Sequence, residues 1–247
     1  MDDTPAPGKR RRRSDARLLV PIAQRPGPLD SVLIHPAGGG LAQYLGVGGR
    51  LARHGSVHGI RADGLLAGER PDNSVSEMTG RYLPLLARRV PRPRLLVGWS
   101  LGGVIAWELA ARLAVDGPAP AVVLIDSFAE QLGADDGLSA ALDRRLDALS
   151  GQDAARVRAT ALAHLHAAAR HRTRATHPAP TLLLACAGPR RRGQSRHWRS
   201  RASGPLTVRD LPCGHFDVFD APQLPYLLAH LDDFLAHLTP SVQESTP

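Results

Sequence analysis

The hexapeptide Gly-Trp-Ser-Leu-Gly-Gly at residues 98–103 constrains the fold more than any other part of the chain. It contains Gly-x-Ser-x-Gly, with an apolar run at residues 95–97 before it and a helix-like run at residues 104–115 after it. Strand, tight turn and helix in this order are the setting of a nucleophile elbow, whose strained turn presents the serine. Ser100 is therefore predicted to project at a helix N-terminus, where free N–H groups and the helix dipole favour negative charge.

Strand-like apolar runs alternate with helix-like stretches along most of the chain. Strands are predicted at residues 31–34, 56–60, 95–97, 121–125, 181–185 and 206–209, and helices at residues 41–54, 74–89, 104–115 and 222–238. The 74–89 helix begins with Ser-Val-Ser-Glu, which has the form of a capping box, and contains Pro84. This alternation predicts an α/β fold with a mostly parallel, doubly wound sheet.

The domain organisation is predicted from length and local composition. Residues 1–16 are charged and poor in apolar residues, so we interpret them as a disordered basic tail or linker. Residues 17–240 fit one large α/β domain, and residues 241–247 form a C-terminal tail.

No strand-like run lies between the predicted strands at 121–125 and 181–185, whereas residues 138–149 and 152–171 have helical spacing. We interpret residues from about 128 to 178 as an inserted helical lid; a fixed helical layer is the alternative.

Charge and hydropathy narrow the classes of partner. Lys and Arg number 31 against 23 Asp and Glu, a formal net charge of +8. The sequence has no zinc-finger, homeodomain or RNP-type signature, so we expect no nucleic-acid partner and favour an acidic protein partner.

No window approaches the roughly 18 apolar residues of a membrane span, and no secretory signal follows the basic N-terminus. With two cysteines, too few for a disulfide scaffold, the chain is predicted to be cytoplasmic, without a membrane partner.

A catalytic serine requires a base and an acid that orients the base. In this architecture they follow in the order serine, acid, histidine. Asp126 directly follows the predicted strand at 121–125, which places it at the same sheet edge as Ser100. The loop expected at residues 186–205 contains no Asp or Glu, and Asp135 and Asp136 fall in the predicted lid. We therefore predict Asp126 as the catalytic acid; a strand-end residue capping a turn is the alternative.

The predicted base is His215, which lies in a glycine-containing loop after the last predicted strand. A loop histidine without a role is the alternative.

The oxyanion hole needs two preorganised N–H groups. Leu101, directly after the serine, is predicted to supply one, and Ala37, in His-Pro-Ala-Gly-Gly at residues 35–39, the other. Taken alone, that loop could instead cradle a phosphate, but no Gly-Lys-Ser/Thr follows it.

Four histidines between residues 164 and 177 raise the question of a metal site. They are His164, His166, His171 and His177. Their spacing offers no convincing ligand pair and no carboxylate lies close by. We interpret them as surface histidines and predict no metal site.

Together, these segments resemble the thioesterase domains that terminate non-ribosomal peptide and polyketide assembly lines, within the α/β-hydrolase superfamily. The matching segments are residues 35–39, 98–103, 123–127 and 214–216, with a further similarity over residues 59–64 and 74–82. The resemblance covers roughly residues 18–238 and implies an α/β-hydrolase fold.

The resemblance also implies a substrate and a partner. The substrate would be an acyl or peptidyl chain held as a thioester on the phosphopantetheine of an acyl or peptidyl carrier protein, which is usually acidic. The chain would pass to Ser100 and be released by hydrolysis or by intramolecular cyclisation, with no bound cofactor. Trp99 and Asp126 make the sequence more similar to chain-terminating than to editing, type II-like members.

Three alternatives to a chain-terminating enzyme stay open at this point. The first is an editing thioesterase that clears stalled carrier proteins. The second is a carboxylesterase or lipase, against which the loop at residues 35–39 and the missing signal peptide count. The third is a non-catalytic module that binds carrier proteins, which would require the loss of Ser100, Asp126 or His215.

Overall fold

Seven strands form one sheet in the computed structural model, which describes residues 17–129, 151–188 and 191–238. They are β1 (Leu19–Ala23), β2 (Ser31–Ile34), β3 (Val57–Ile60), β4 (Leu95–Trp99), β5 (Ala121–Ile125), β6 (Thr181–Cys186) and β7 (Leu206–Leu211). Their spatial order is β1-β3-β2-β4-β5-β6-β7, and all neighbours are parallel except β1 and β3. The mostly parallel sheet predicted from the sequence is confirmed.

Helices cover both faces of this sheet. They are α1 (Leu45–Leu51), α2 (Val75–Arg89), α3 (Leu101–Leu113), α4 (Gly151–Arg170), α5 (Arg191–Arg199) and α6 (Leu224–Leu238). Because successive strand residues point to opposite faces, Leu96 of β4 packs with α2 and α3, whereas Leu95 and Val97 pack with α1 and α6. This doubly wound arrangement leaves the carboxyl ends of the parallel strands free to build a site.

The N-terminus of α2 shows the predicted cap. Ser74 Oγ accepts a hydrogen bond from the Glu77 backbone N–H at 3.1 Å. Glu77 Oε2 in turn accepts one from the Asn73 backbone N–H at 3.1 Å. Two N–H groups at this helix end are thereby satisfied, and Pro84 is accommodated inside the helix.

Two elements were not predicted from the sequence. Strand β1 is partly exposed, contains Pro21 and pairs antiparallel at the sheet edge. Helix α5 lies within residues 186–205, so the expectation of a loop there is wrong. Its sequence, Arg-Arg-Gly-Gln-Ser-Arg-His-Trp-Arg, carries few apolar residues, and it buries chiefly Gln194 and Trp198.

Helix α4 falls in the predicted lid, and its second half packs on the core. Thr160, Ala161, His164 and Ala167 are buried. At the end of the helix, Arg170 Nη2 donates a hydrogen bond to the Asn73 carbonyl at 2.9 Å. Residues 138–149, the other helix-like part of the predicted lid, lie outside the described residues.

The predicted tails at residues 1–16 and 241–247 also lie outside the described residues. Within the described part of the chain, no helix has the length and apolar character needed to cross a membrane. Both cysteines are free thiols, with the Sγ atoms of Cys186 and Cys213 4.0 Å apart.

Candidate active site

Ser100 occupies a sharp turn between β4 and α3. Its backbone has φ 56° and ψ −124°, a conformation that strains any residue other than glycine. The turn closes tightly: a Cβ on Gly98 would lie 2.1 Å from the Gly102 carbonyl carbon, and one on Gly102 would lie 2.5 Å from the Ile34 carbonyl oxygen. Glycine is therefore required on both sides of Ser100, which explains the spacing of the motif.

Asp126 lies in a second strained position, directly after β5. Its φ is 40°, and among the described residues only Ser100 and Asp126 combine a side chain with a positive φ. Its backbone N–H donates to the Leu184 carbonyl at 2.8 Å. Ser100 and Asp126 thus follow neighbouring strands and lie at the same edge of the sheet.

The Asp126 carboxylate holds the His215 ring. His215 Nδ1 lies 2.7 Å from Asp126 Oδ2. Because a carboxylate only accepts hydrogen bonds, Nδ1 carries the proton and Nε2 is left as the basic nitrogen. Burial acts to raise the pKa of Asp126. The hydrogen bond and charge of His215, with donors from Cys186 and Gln194, outweigh burial and hold that pKa below its ordinary value.

The loop after β2 contains the Ala37 peptide that was predicted as an oxyanion donor. His35 is fully buried and its Nδ1 donates to the Pro36 carbonyl at 2.8 Å, while its Nε2 accepts from the Tyr82 hydroxyl at 2.7 Å. The Pro36 carbonyl also accepts from the Gly39 N–H at 2.9 Å. Since C=O and N–H point in opposite directions across a trans peptide, these contacts fix the direction of the Ala37 N–H.

His164 of α4 supports the same loop. Its Nδ1 donates to the Ala37 carbonyl at 2.8 Å, and its ring stacks on His35 with centroids 5.1 Å apart. Burial lowers the pKa of His35 to about 3 and that of His164 to about 4, so the stacked pair is neutral at pH 7. Helix α4 is thereby tied to the loop that carries Ala37.

The interpretation of the four histidines at residues 164–177 as surface residues is wrong for two of them. His164 and His177 are buried. His177 Nε2 donates to the Pro120 carbonyl at 2.9 Å, and His171 Nε2 lies 3.0 Å from Glu108. Over the described ranges, no group of three His, Cys, Asp or Glu side chains is placed to hold a metal ion.

Tyr44 connects the two loops that frame the site. Its hydroxyl donates to the Ile34 carbonyl at the end of β2, at 2.8 Å. The same oxygen accepts from the Trp99 N–H, next to Ser100, at 2.7 Å. One buried phenol therefore fixes the distance between the serine turn and the loop of residues 35–39.

An apolar cavity of about 650 Å³ opens at this edge of the sheet. It is lined by Pro36, Ala37, Gly38, Gly40, Ala42, Gln43, Leu65, Trp99, Ser100, Val157, Leu165, His215, Phe216, Phe219 and Asp220. The Trp99 ring packs on His215 with centroids 5.0 Å apart, and Phe216 and Phe219 surround it. Ser100 and His215 share this cavity, which is large enough for part of an acyl chain.

The structure brings the predicted site residues together as one unit. Ser100, Ala37 and His215 line the cavity, Leu101 begins α3 beside Ser100, and Asp126 lies behind His215. Sequence analysis missed Gln194 and His164, which contact Asp126 and Ala37 respectively. The four-residue spacing of Gln194 and Trp198, the buried side chains of α5, was the available signal for that helix.

Comparisons with known proteins identify relatives of this chain among synthases and thioesterases. The polyketide synthase GfsE of Streptomyces halstedii is 31% identical over 186 residues, covering 72% of this chain and 5% of GfsE. Thioesterase frbD of Dothideomycetidae sp. (strain 11243) is 36% identical over 131 residues, covering 51% of this chain and 46% of frbD. This chain therefore spans less than half of the length of these curated relatives.

Solved structures share the fold. RedJ, a thioesterase from the prodiginine biosynthetic pathway in Streptomyces coelicolor, matches with a TM-score of 0.72 at 25% identity, covering 84% of this chain and 91% of RedJ. The α/β-hydrolase fold and the resemblance to thioesterases of peptide and polyketide synthesis are confirmed. The sequence model of the Thioesterase domain family matches residues 32–235 of the 247, and the chain belongs to that family.

Proposed function

We propose that this domain releases an acyl or peptidyl chain from the phosphopantetheine thioester of a carrier protein, through an acyl-enzyme on Ser100. The observation that carries the proposal is the geometry at one cavity. Ser100 stands on a strained turn, and His215, which lines the same cavity, is held by Asp126 at 2.7 Å. The similarity to GfsE, a polyketide synthase, and to RedJ, a thioesterase of prodiginine biosynthesis, supports this class of substrate.

The first half of the reaction forms the acyl-enzyme. Ser100 Oγ attacks the thioester carbonyl carbon while His215 Nε2 takes the hydroxyl proton. The tetrahedral intermediate collapses, the C–S bond breaks, and the pantetheine thiol leaves with the proton from His215. Asp126 keeps the imidazole in the required tautomer and stabilises its charged form.

The oxyanion is bound by the N–H groups of Ala37 and Leu101. The Leu101 N–H is at the start of α3, where the helix dipole adds to the donor. The Ala37 N–H is aimed by the two hydrogen bonds that hold the Pro36 carbonyl on the other side of its peptide. Losing one such donor reduces the rate by roughly 100- to 1,000-fold in comparable enzymes.

The second half of the reaction releases the chain. His215 takes a proton from water for hydrolysis, or from an amine or hydroxyl of the chain itself for cyclisation, and the new nucleophile attacks the ester carbonyl. The C–O bond to Ser100 then breaks, and His215 returns the proton to Ser100 Oγ. The side chains and backbone donors of this domain supply every group that the reaction needs, without a bound cofactor. The carrier protein is expected to be acidic, which complements the net charge of +8.

The test is to incubate the protein with hexanoyl- and dipeptidyl-pantetheine thioesters and to weigh it intact. Ser100→Ala is the test variant, and Ser200→Ala, at an exposed serine after α5, is the matched control. We expect an acyl adduct or thiol release from the wild type and from Ser200→Ala, and neither from Ser100→Ala. The product masses then separate hydrolysis from cyclisation.

The opposite outcome is equally clear. If the wild type and Ser100→Ala behave alike, including when the thioester is presented on a carrier protein, Ser100 is not the nucleophile. A non-catalytic module that binds carrier proteins would then explain the fold better. If the wild type prefers short acyl chains on carrier proteins over peptidyl chains, the editing thioesterase is the better assignment.

A further inference from the structure

Gln194 links α5 to the predicted catalytic acid. Its side chain is 1% exposed and reaches from α5 to the end of β5. Nε2 donates to Asp126 Oδ1 at 3.1 Å and to the Ser127 carbonyl at 2.9 Å. Gln194 itself does not line the cavity that contains Ser100, so it acts on the site only through Asp126 and Ser127.

The orientation of the Gln194 amide is fixed by its partners. Both partners only accept hydrogen bonds, so the nitrogen must face them, and the flipped amide would place oxygen against oxygen. Oε1 is buried, and no hydrogen-bond partner for it is found among the described residues. A buried acceptor without a donor is costly, so an apolar side chain would suit this position better if packing were its only role.

The two oxygens of Asp126 have different partners. Oδ1 accepts from the Cys186 N–H and from Gln194, each at 3.1 Å, while Oδ2 faces His215 Nδ1. Rotation of the carboxylate would exchange these oxygens or draw Oδ2 away from the imidazole. Two donors on Oδ1 oppose that rotation, and they also favour the charged form of the carboxylate.

We propose that Gln194 is a positioning residue, whose amide holds the Asp126 carboxylate in the rotation at which Oδ2 meets His215. The inference rests on the proposed function, since it assigns a role within the Ser100–His215–Asp126 triad. Gln194 comes from the segment after β6 that contains no carboxylate, and it supplies a donor to the acid that follows β5.

Trp198 provides a matched control on the same helix. It is fully buried, and its Nε1 donates to the Ser127 carbonyl at 2.8 Å. Trp198 thus shares one acceptor with Gln194 but does not donate to Asp126 through that bond. Trp198→Phe removes a buried donor from α5 while the donor to the carboxylate stays in place.

The probe is a fluorophosphonate, which reports the reactivity of Ser100 whatever the natural chain is. Ser100 Oγ forms a bond to phosphorus, the P–F bond breaks, fluoride leaves, and His215 takes the serine proton. The second-order labelling rate is read by intact mass.

Gln194→Met fills the same space without an N–H donor, and we expect it to label about tenfold more slowly than the wild type, a difference equivalent to 1.4 kcal/mol. Trp198→Phe should label within about twofold of the wild type.

Gln194→Glu separates positioning from packing by its pH dependence. Two charged carboxylates at this distance repel each other, so at low pH they share one proton and the protonated Glu still donates to Asp126 Oδ1. As the pH rises that proton is lost, and the labelling rate of the variant relative to the wild type should fall between pH 5.5 and 8.5. If Gln194 only filled space, Gln194→Glu at low pH would label no faster than Gln194→Met.

The outcomes distinguish this inference from the proposed function. Ser100-dependent labelling at the wild-type rate in Gln194→Met, with Gln194→Glu no faster than Gln194→Met at low pH, overturns the positioning role and leaves the triad intact. Absent labelling in the wild type, or equal labelling in Ser100→Ala, overturns the proposed function itself. Urea unfolding midpoints of the variants, measured beside the rates, show that slow labelling does not come from an unfolded fraction.

Discussion

Acid should weaken this fold through the buried imidazole of His164. Burial lowers the pKa of His164 from 6.5 to about 4 in the folded protein. The unfolded chain takes up a proton near pH 6.5, whereas the folded chain does so only near pH 4. Stability that is present above pH 6.5 is therefore lost as the pH falls through this window. Between pH 7 and pH 5, this one histidine accounts for a loss of about 2 kcal/mol in the free energy of unfolding.

The perturbation that isolates this effect is His164→Asn. The asparagine amide places an N–H close to the position of Nδ1 and still donates to the Ala37 carbonyl, but it has no proton to gain. The free energy of unfolding is measured by urea titration at pH 7 and pH 5 for both proteins. We expect the stability of the wild type relative to the variant to fall by about 2 kcal/mol between the two.

The comparison cancels groups that titrate alike in both proteins, such as Asp72. His35 stacks on residue 164 and loses in the variant the charge that helps to lower its pKa, which adds to the expected fall. His35, with a pKa lowered to about 3, adds to the acid sensitivity, and Asp72, whose pKa burial raises to about 6, opposes it. His166→Asn, at an exposed position of α4, is the matched control and should keep a constant difference from the wild type. A difference for His164→Asn that is equal at both pH values, or that grows on acidification, would refute the buried neutral imidazole.

Three substitutions test the backbone packing and the helix cap by urea unfolding. Gly103→Ala places a Cβ 1.9 Å from Ser127 Oγ, so we expect a loss of about 2 kcal/mol or more; an unchanged midpoint would contradict the close packing. Gly80→Ala meets no atom within 4 Å on the exposed side of α2 and should gain about 1 kcal/mol. Ser74→Ala removes the acceptor of the Glu77 N–H and should lose about 1 kcal/mol, and a loss near zero would show that this cap contributes nothing.

The parallel strands could be predicted because each carries its own signal. The β5 segment, Ala121–Ile125, is buried at every position, and such continuous apolar runs are visible without any knowledge of the fold. Strand β1 has no such signal, since it lies at the edge and contains Pro21. Helix α5 carries only the weak signal of two buried residues four positions apart, Gln194 and Trp198, because its four arginines are exposed.

The residues of the candidate site also differ in whether the sequence alone can locate them. Ser100, Asp126 and His215 are located by their position relative to strand ends, and strand order in the sequence is enough to bring those ends to one edge. Gln194 and His164 cannot be located so, since their contacts depend on how α5 and α4 approach the sheet. Local spacing does not encode that approach, which is why the sequence predicts a surface position for His164 although it is buried.

The backbone of Ser100 has a consequence for attempts to make this protein more heat-resistant. At φ 56° and ψ −124°, glycine is the residue that fits without strain, and the strain of a serine there is on the order of 1–3 kcal/mol. A laboratory evolution scheme that rewards heat resistance alone would therefore favour glycine at this position. The most heat-resistant variants would keep the sheet but lose the nucleophile. Catalytic activity therefore has to be selected together with melting temperature.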